Sequence, residues 1–194
     1  NLAKACQTAG AVLIHISTDF VFDGTKRTPY TEEDTPNPLS VYGKSKLKGE
    51  EYIKEICESY FVVRTSWLYS EYGNNFVKTM LRLAETRKQI SVVNDQIGSP
   101  TYAGDLAEFS LKVISSGSTA YGLYHYSNLG AISWYDFAVE IFKQQKKEVL
   151  VVPIPTSSYP TAAKRPPFSV LDLYKTKATF CVDLLFWKLK ANYD

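Results

Sequence analysis

The sequence predicts an α/β fold built on a doubly wound, mostly parallel sheet. Short apolar runs rich in β-branched residues alternate along the chain with amphipathic stretches of helical period, and this alternation is typical of repeated strand–helix units. The strand-like runs lack a polar face, so we expect them to be buried on both sides, as strands of a parallel sheet are. The 194 residues, 45% of them hydrophobic, are enough to form a substantial core.

Capping residues and apolar periodicity define the individual elements. Gly10 is a typical C-cap, and Ser40 and Ser133 are typical N-caps. The chain opens on what we interpret as the end of a helix, which suggests a fragment of a longer protein. The predicted elements are a helix ending at Gly10, strands at 11–17, 60–69, 90–93, 122–127 and 148–154, helices at 40–57, 75–87, 105–114, 133–145 and 180–189, and long loops at 19–38 and 153–167.

Composition excludes several classes of function. The net charge is only +2, from 22 basic and 20 acidic residues whose signs are interleaved, so we predict no nucleic-acid partner. Three cysteines and two histidines show no metal-ligand spacing, so we predict no metal and a reducing, cytoplasmic location. No apolar run approaches the ~18 residues of a membrane span, so we predict no membrane partner.

Three groups of polar residues are predicted to meet at one edge of the sheet. Ser17, Thr18 and Asp19 end the first buried strand, and ligands bind at that edge of open parallel sheets. Tyr42 and Lys46 are four residues apart and therefore share a face of the next helix. The segment Arg64-Thr65-Ser66-Trp67 ends the next strand. The order of these elements predicts a common cleft.

The pairing of tyrosine with lysine suits the reduction of a ketone, which needs a hydride at carbon and a proton at oxygen. A free tyrosine has a pKa of about 10, and a nearby ammonium group lowers that pKa by stabilising the phenolate. A hydroxyl such as that of Ser17 or Thr18 can donate a hydrogen bond as charge develops on the carbonyl oxygen. The spacing of Tyr42 and Lys46 alone is weak evidence for this chemistry. The whole arrangement, in which the pair follows a strand that ends in Ser-Thr, resembles that of the short-chain dehydrogenase/reductase superfamily.

Longer sequence segments identify a particular family within this superfamily. Up to about residue 172 the chain is similar to the dTDP-4-dehydrorhamnose reductase family. The words that carry the resemblance are HISTDFVFDG, PYTEEDTPNPLSVYGKSKLKGE, RTSWLY, NNFVKTMLRLAE, VVNDQIGSPTYAGDLA, GLYHYSNLGAISWYDFA and KRPPFSVLD. The resemblance implies that Thr18, Tyr42 and Lys46 are catalytic. It implies that Ser17, with Tyr42 and Lys46, faces the cofactor. The predicted substrate contacts are Asp19, Phe20, Trp67, Asn75 and Arg165.

The resemblance implies reduction of the C4 keto group of dTDP-6-deoxy-L-lyxo-4-hexulose to dTDP-L-rhamnose, with NADPH or NADH. The implied fold is an incomplete Rossmann-like sheet over residues 1–120 and a smaller, mainly substrate-binding lobe over 121–194, the two lobes interleaving. The family's glycine-rich pyrophosphate-binding turn is absent, and we expect it upstream of Asn1. The predicted partners are the dTDP-sugar and, as a possible homodimer, a second copy of the chain.

Two departures from the family and two other functions stay open. Phe20 stands where the family usually has tyrosine, and the segment after Tyr174 differs from the usual ending. A nucleotide-sugar dehydratase or epimerase is one alternative, although a dehydratase needs a proton-transferring glutamate where this chain has Phe20. A non-catalytic regulatory subunit, similar to that of methionine adenosyltransferase, is the other, and the presence of Thr18, Tyr42 and Lys46 argues against it.

Overall fold

The computed structural model describes residues 1–161 and 163–187. These residues form six α-helices and nine strands. The helices are α1 (Leu2–Ala9), α2 (Val41–Ile56), α3 (Phe76–Ala84), α4 (Ala103–Ser115), α5 (Trp134–Gln144) and α6 (Tyr174–Phe180). The strands are β1 (Leu13–Thr18), β2 (Tyr60–Thr65), β3 (Leu68–Tyr69), β4 (Gln89–Val93), β5 (Ile97–Gly98), β6 (Thr101–Tyr102), β7 (Gly122–His125), β8 (Ile132–Ser133) and β9 (Leu150–Ile154). The short strands β5, β6 and β8 were not predicted from the sequence.

The strands β1, β2 and β7 form a parallel three-stranded sheet in that order. Successive side chains of β2 point to opposite faces of the sheet, and helices pack on both faces. Phe61 and Val63 pack with residues of α4 and α6, whereas Val62 packs with residues of α1 and α2. The predicted α/β, Rossmann-like fold with a parallel sheet is therefore confirmed. Strand β1 is at the edge of this sheet, which explains why residues 14–16 are half-buried rather than buried.

A second hydrophobic cluster joins elements that are distant in sequence. Helices α3 and α5 pack together with the parallel pair β4–β9 around the fully buried Val77, Phe137 and Ile141. Strand β7 follows residue 120 but pairs with β2, which precedes it, and β4 precedes residue 120 but pairs with β9, which follows it. Each of these two sheets therefore combines strands from both sides of residue 120. The division into lobes at residue 120 stays a prediction.

The predicted helix caps are confirmed. Gly10 ends α1 in the left-handed conformation, with φ of 63°, where a residue without a side chain is favoured. Ser40 accepts a hydrogen bond from the Gly43 amide at the start of α2. Ser133 and Asp136 form a reciprocal capping box at the start of α5. These local signals position the helices relative to the strands that precede them.

Two predicted elements were wrong in extent. The predicted strand at 60–69 is interrupted by Trp67, whose φ of 46° is incompatible with an extended chain, and the chain then enters a different sheet. The predicted helix at 180–189 is wrong because α6 already ends at Phe180, where Cys181 adopts a left-handed conformation. Residues 181–187 are not helical, and residues 188 and 189 lie outside the described residues.

Candidate active site

Strand β1 ends in two buried polar side chains that contact each other. The hydroxyl of Thr18 donates to Oδ1 of Asp19 at 3.1 Å and accepts from the amide of Phe20 at 3.2 Å. This second bond caps a short 3₁₀ turn, Asp19–Val21, which turns the chain away from the sheet. Thr18 is thereby fixed at the carboxyl edge of the sheet, where the sequence predicts it.

Asp19 is a buried acid that is incompletely paired. Burial raises the pKa of Asp19 to about 6, and hydrogen bonds from the hydroxyls of Ser169 and Thr18 oppose this rise. Its Oδ2 atom is buried without a hydrogen-bond partner among the described residues. Buried polar atoms are nearly always paired, so an unpaired one at the edge of the sheet is a candidate contact for a ligand.

Tyr42 and Lys46 lie on the first turns of α2, on the side that faces β1. Tyr42 is 53% exposed, and its ring meets that of Phe20 edge to face, with 5.8 Å between the centroids. The ammonium group of Lys46 donates to the carbonyl oxygen of Ile16 at 2.7 Å and lies 3.3 Å from Nε2 of His15. Burial lowers the pKa of Lys46, and the carboxylate of Glu50 opposes this effect.

A buried ion pair lies one helical turn beyond Lys46. Glu50 accepts hydrogen bonds from Nη2 of Arg64 at 2.6 Å and from Nε of Arg64 at 3.0 Å. The hydroxyl of Ser17 donates to the same carboxylate, so Ser17 is joined to the interior, and its predicted contact with the cofactor stays a prediction. The sequence singled out Arg64 only as part of the segment that ends the strand, and it did not single out Glu50.

A small aromatic pocket, of about 10 Å³, adjoins Phe20. The indole rings of Trp67 and Trp134 stack face to face, with 3.5 Å between their centroids and 7° between their planes. The guanidinium group of Arg165 lies 6.0 Å from the Trp134 ring. The residues that line this pocket are Phe20, Trp67, Gln96, Trp134, Arg165, Pro166 and Ser169. Trp134 was not singled out as a site residue from the sequence, and the structure places it in the lining of this pocket.

A larger cavity, of about 460 Å³, also has Arg165 in its lining. It lies between α3, β4 and the loop that precedes Arg165, and its residues include Phe76, Arg87, Tyr159 and Thr161. Gln96, Trp134 and Arg165 line both this cavity and the aromatic pocket. The two spaces therefore meet at a cationic side chain.

Asn75 has a structural role in this arrangement. Its side chain accepts from the amide of Lys78 at 3.2 Å and donates to the carbonyl of Ser70 at 2.7 Å. It thus caps α3, whose first residue, Phe76, reaches the larger cavity. The structure does not bring Asn75 into the lining of either cavity, and its predicted substrate contact stays a prediction.

The donor groups present fit one end of a nicotinamide cofactor. An exposed phenol and a partly buried ammonium on adjacent turns of one helix match the hydroxyl groups of a ribose. Within residues 1–161 and 163–187, no three His, Cys, Asp or Glu side chains form a group that could hold a metal ion. None of the helices in the same ranges combines the length and apolar character that crossing a membrane requires.

The parallel sheet, the Ser-Thr-Asp edge and the tyrosine–lysine helix together define a Rossmann-like protein of the short-chain dehydrogenase/reductase class. The chain belongs to the RmlD substrate binding domain family, which its residues 1–192 match. The resemblance predicted from the sequence is thereby confirmed.

Several similar proteins are named dTDP-4-dehydrorhamnose reductase. The dTDP-4-dehydrorhamnose reductase of Aggregatibacter actinomycetemcomitans is 44% identical over 96% of this chain and 67% of its own length. The reductase of Escherichia coli strain K12 is 41% identical over 97% of this chain and 66% of its own length. A crystal structure of the Bacillus anthracis reductase in complex with NADP has a TM-score of 0.92 and 46% identity, over 96% of this chain and 66% of that one. This chain thus spans about two thirds of such relatives.

Proposed function

We propose that the protein reduces the C4 keto group of dTDP-6-deoxy-L-lyxo-4-hexulose to give dTDP-L-rhamnose, with NADPH or NADH. The observation that carries this proposal is that Arg165 lines both the larger cavity and the aromatic pocket. A sugar nucleotide has its diphosphate between the sugar and the nucleoside, and the guanidinium fork of arginine suits a diphosphate. The larger cavity would take the nucleoside, and the sugar would lie against the residues at the mouth of the aromatic pocket beside Phe20, whose volume of about 10 Å³ is too small to enclose it.

The side chains at the edge of the sheet divide the chemistry between them. A bound nicotinamide supplies the hydride that reaches C4. Tyr42 donates a proton to O4, and Lys46 stabilises the phenolate that remains. Thr18 is assigned the hydrogen bond to O4 as negative charge develops there. The edge contact of Tyr42 with Phe20 supports this assignment, because Phe20 also lines the aromatic pocket.

The remaining predicted contacts surround the sugar and the cofactor. Asp19 and Trp67 are assigned to the sugar, and Arg165 to the diphosphate. Lys46 is also assigned to the nicotinamide ribose, with Ser17 nearby at the end of β1. The three cysteines are free thiols, which agrees with a cytoplasmic location, and a homodimer is the assembly that we propose.

Simple reduction is favoured over the two other functions. A dehydratase needs a further acid–base group beside the tyrosine, and Phe20 cannot transfer a proton. A regulatory subunit needs no catalytic side chains, whereas Thr18, Tyr42 and Lys46 are all present at one edge of the sheet. The name of the B. anthracis relative, a reductase solved with NADP, supports the same choice.

The test is the nicotinamide absorbance of the whole protein mixed with NADPH or NADH and the dTDP-4-keto sugar. One cofactor oxidised for each dTDP-L-rhamnose formed would support the proposal. A changed sugar without net oxidation would indicate an epimerase or a dehydratase. The absence of any turnover, together with stimulation of an added methionine adenosyltransferase, would favour the regulatory subunit.

A further inference from the structure

Trp67 is held in an unusual conformation by contacts on its ring. Its backbone is left-handed, with φ of 46°, a conformation that is rare for a bulky residue and needs support from its surroundings. One face of the indole stacks on Trp134. The backbone of Gly98 lies so close that a Cβ atom there would come within 2.4 Å of Cε2 and 2.5 Å of Nε1 of Trp67.

Neither neighbour can change without moving the ring. Gly98 has no positive φ, so its lack of a side chain is required by the approach of the indole and not by its backbone conformation. Trp134 is the first residue of α5, and the capping box of Ser133 and Asp136 fixes the start of that helix. The ring of Phe76 packs beside Trp134, with 4.7 Å between the centroids, so the stacked ring has little freedom to retreat.

We propose that Gly98 and Trp134 are positioning residues that clamp the indole of Trp67 and thereby fix the aromatic surface against which the sugar would lie. The proposal rests on the proposed function, because it assigns the mouth of the pocket beside Phe20 to the sugar. Gly98 and Trp67 do not line the larger cavity assigned to the nucleoside, whereas Trp134 lines both. A change at Gly98 should therefore affect the sugar and spare the nucleotide.

The experiment compares Gly98→Ala with the unaltered whole protein. We expect the KM for the dTDP-4-keto sugar to rise at least about tenfold, because the added methyl group displaces the ring that forms this surface. The Kd for dTDP, which lacks the sugar, should change less than about twofold. The near-UV circular dichroism of the tryptophans should change with the displaced ring. In a Trp67→Ala background, Gly98→Ala should have no further effect on KM, since coupled residues are not additive.

Gly104→Ala is the matched control. A Cβ at Gly104 would also meet an aromatic ring, coming within 2.4 Å of Cε1 of Tyr102, but Tyr102 lines neither the pocket nor the larger cavity. An equal rise in KM for Gly104→Ala would overturn the clamp, and so would an unchanged KM or an unchanged tryptophan spectrum for Gly98→Ala. If the unaltered protein does not reduce the sugar, the proposed function fails. The tryptophan spectrum then still decides whether Gly98 positions Trp67.

Discussion

Glu50 and Arg64 form an ion pair in the interior, with Nη2 of Arg64 2.6 Å from Oε2 of Glu50 and only 3% and 8% of the two side chains exposed. The pair ties α2, which presents Tyr42 and Lys46, to β2, and through Ser17 to β1. The geometry of the candidate active site therefore depends on this buried ion pair, although neither residue is assigned a contact with a ligand.

Removal of one partner from this pair should destabilise the fold. Glu50→Ala leaves the Arg64 charge buried and unpaired, and we expect the free energy of unfolding to fall by about 3–5 kcal/mol. Urea denaturation measures this change. Glu51→Ala is the control, because Glu51 is the next residue of α2 and pairs with Lys48 at the surface, where such pairs contribute about 0–1 kcal/mol. Similar losses for the two variants would contradict the structural role of the pair.

Asp19 should make stability depend on pH in the direction opposite to most acids. Its folded pKa of about 6 lies above the unfolded value of about 3.9, so the folded state binds the proton more tightly. Stability from this group is therefore full below about pH 4 and is lost as pH rises to about 6. We expect Asp19→Asn to stabilise the protein by about 1–3 kcal/mol at pH 7.5 and by much less at pH 4.

Urea denaturation of both proteins at the two pH values tests this expectation. Asp23→Asn is the control of opposite sign, because the backbone hydrogen bond from Thr25 lowers the pKa of Asp23 to about 2. Stability from Asp23 is present above its unfolded pKa and is lost as pH falls towards 2. A stabilisation by Asp19→Asn that is the same at pH 4 and pH 7.5 would show that the carboxyl group does not carry a buried charge.

Arg165 should contribute to nucleotide affinity. A hydrogen-bonded charge contributes about 1.5–3 kcal/mol, so Arg165→Gln should weaken dTDP binding by about 10-fold to 100-fold, as isothermal titration calorimetry would measure. Arg27→Gln is the control, because Arg27 is an exposed arginine that lines neither cavity. Equal affinity of the Arg165→Gln variant and the unaltered protein for dTDP would contradict the assignment of Arg165 to the diphosphate.

The sequence predicted those parts of the fold that depend on local signals. Ser40, Ser133 and Gly10 act where capping preferences place them, because a cap depends on neighbouring backbone groups alone. The carboxyl edge of the sheet followed from the order of strands and helices. The sequence segments that resemble the reductase family then singled out Thr18, Tyr42 and Lys46.

Features that depend on tertiary contacts were missed. Trp67 has a left-handed backbone but lies in an apolar run that resembles a continuous strand. Only its tertiary contacts with Trp134 and Gly98 explain why the strand is interrupted there. Trp134 is an aromatic residue at the start of an amphipathic helix, where packing is the ordinary expectation. Glu50 had a usable signal, since it lies four residues after Lys46 and a buried strand carries Arg64, a charge that needs a partner.

The most direct test is single-turnover reduction of the dTDP-4-keto sugar by the whole protein, with Tyr42→Phe compared against Tyr52→Phe. The two tyrosines lie on the same helix and are 53% and 50% exposed, so loss of either hydroxyl should affect folding alike. The account predicts a rate lower by about 100-fold to 10,000-fold for Tyr42→Phe, with unchanged dTDP affinity, and a normal rate for Tyr52→Phe. A normal rate for Tyr42→Phe would contradict the assignment of Tyr42 as the proton donor.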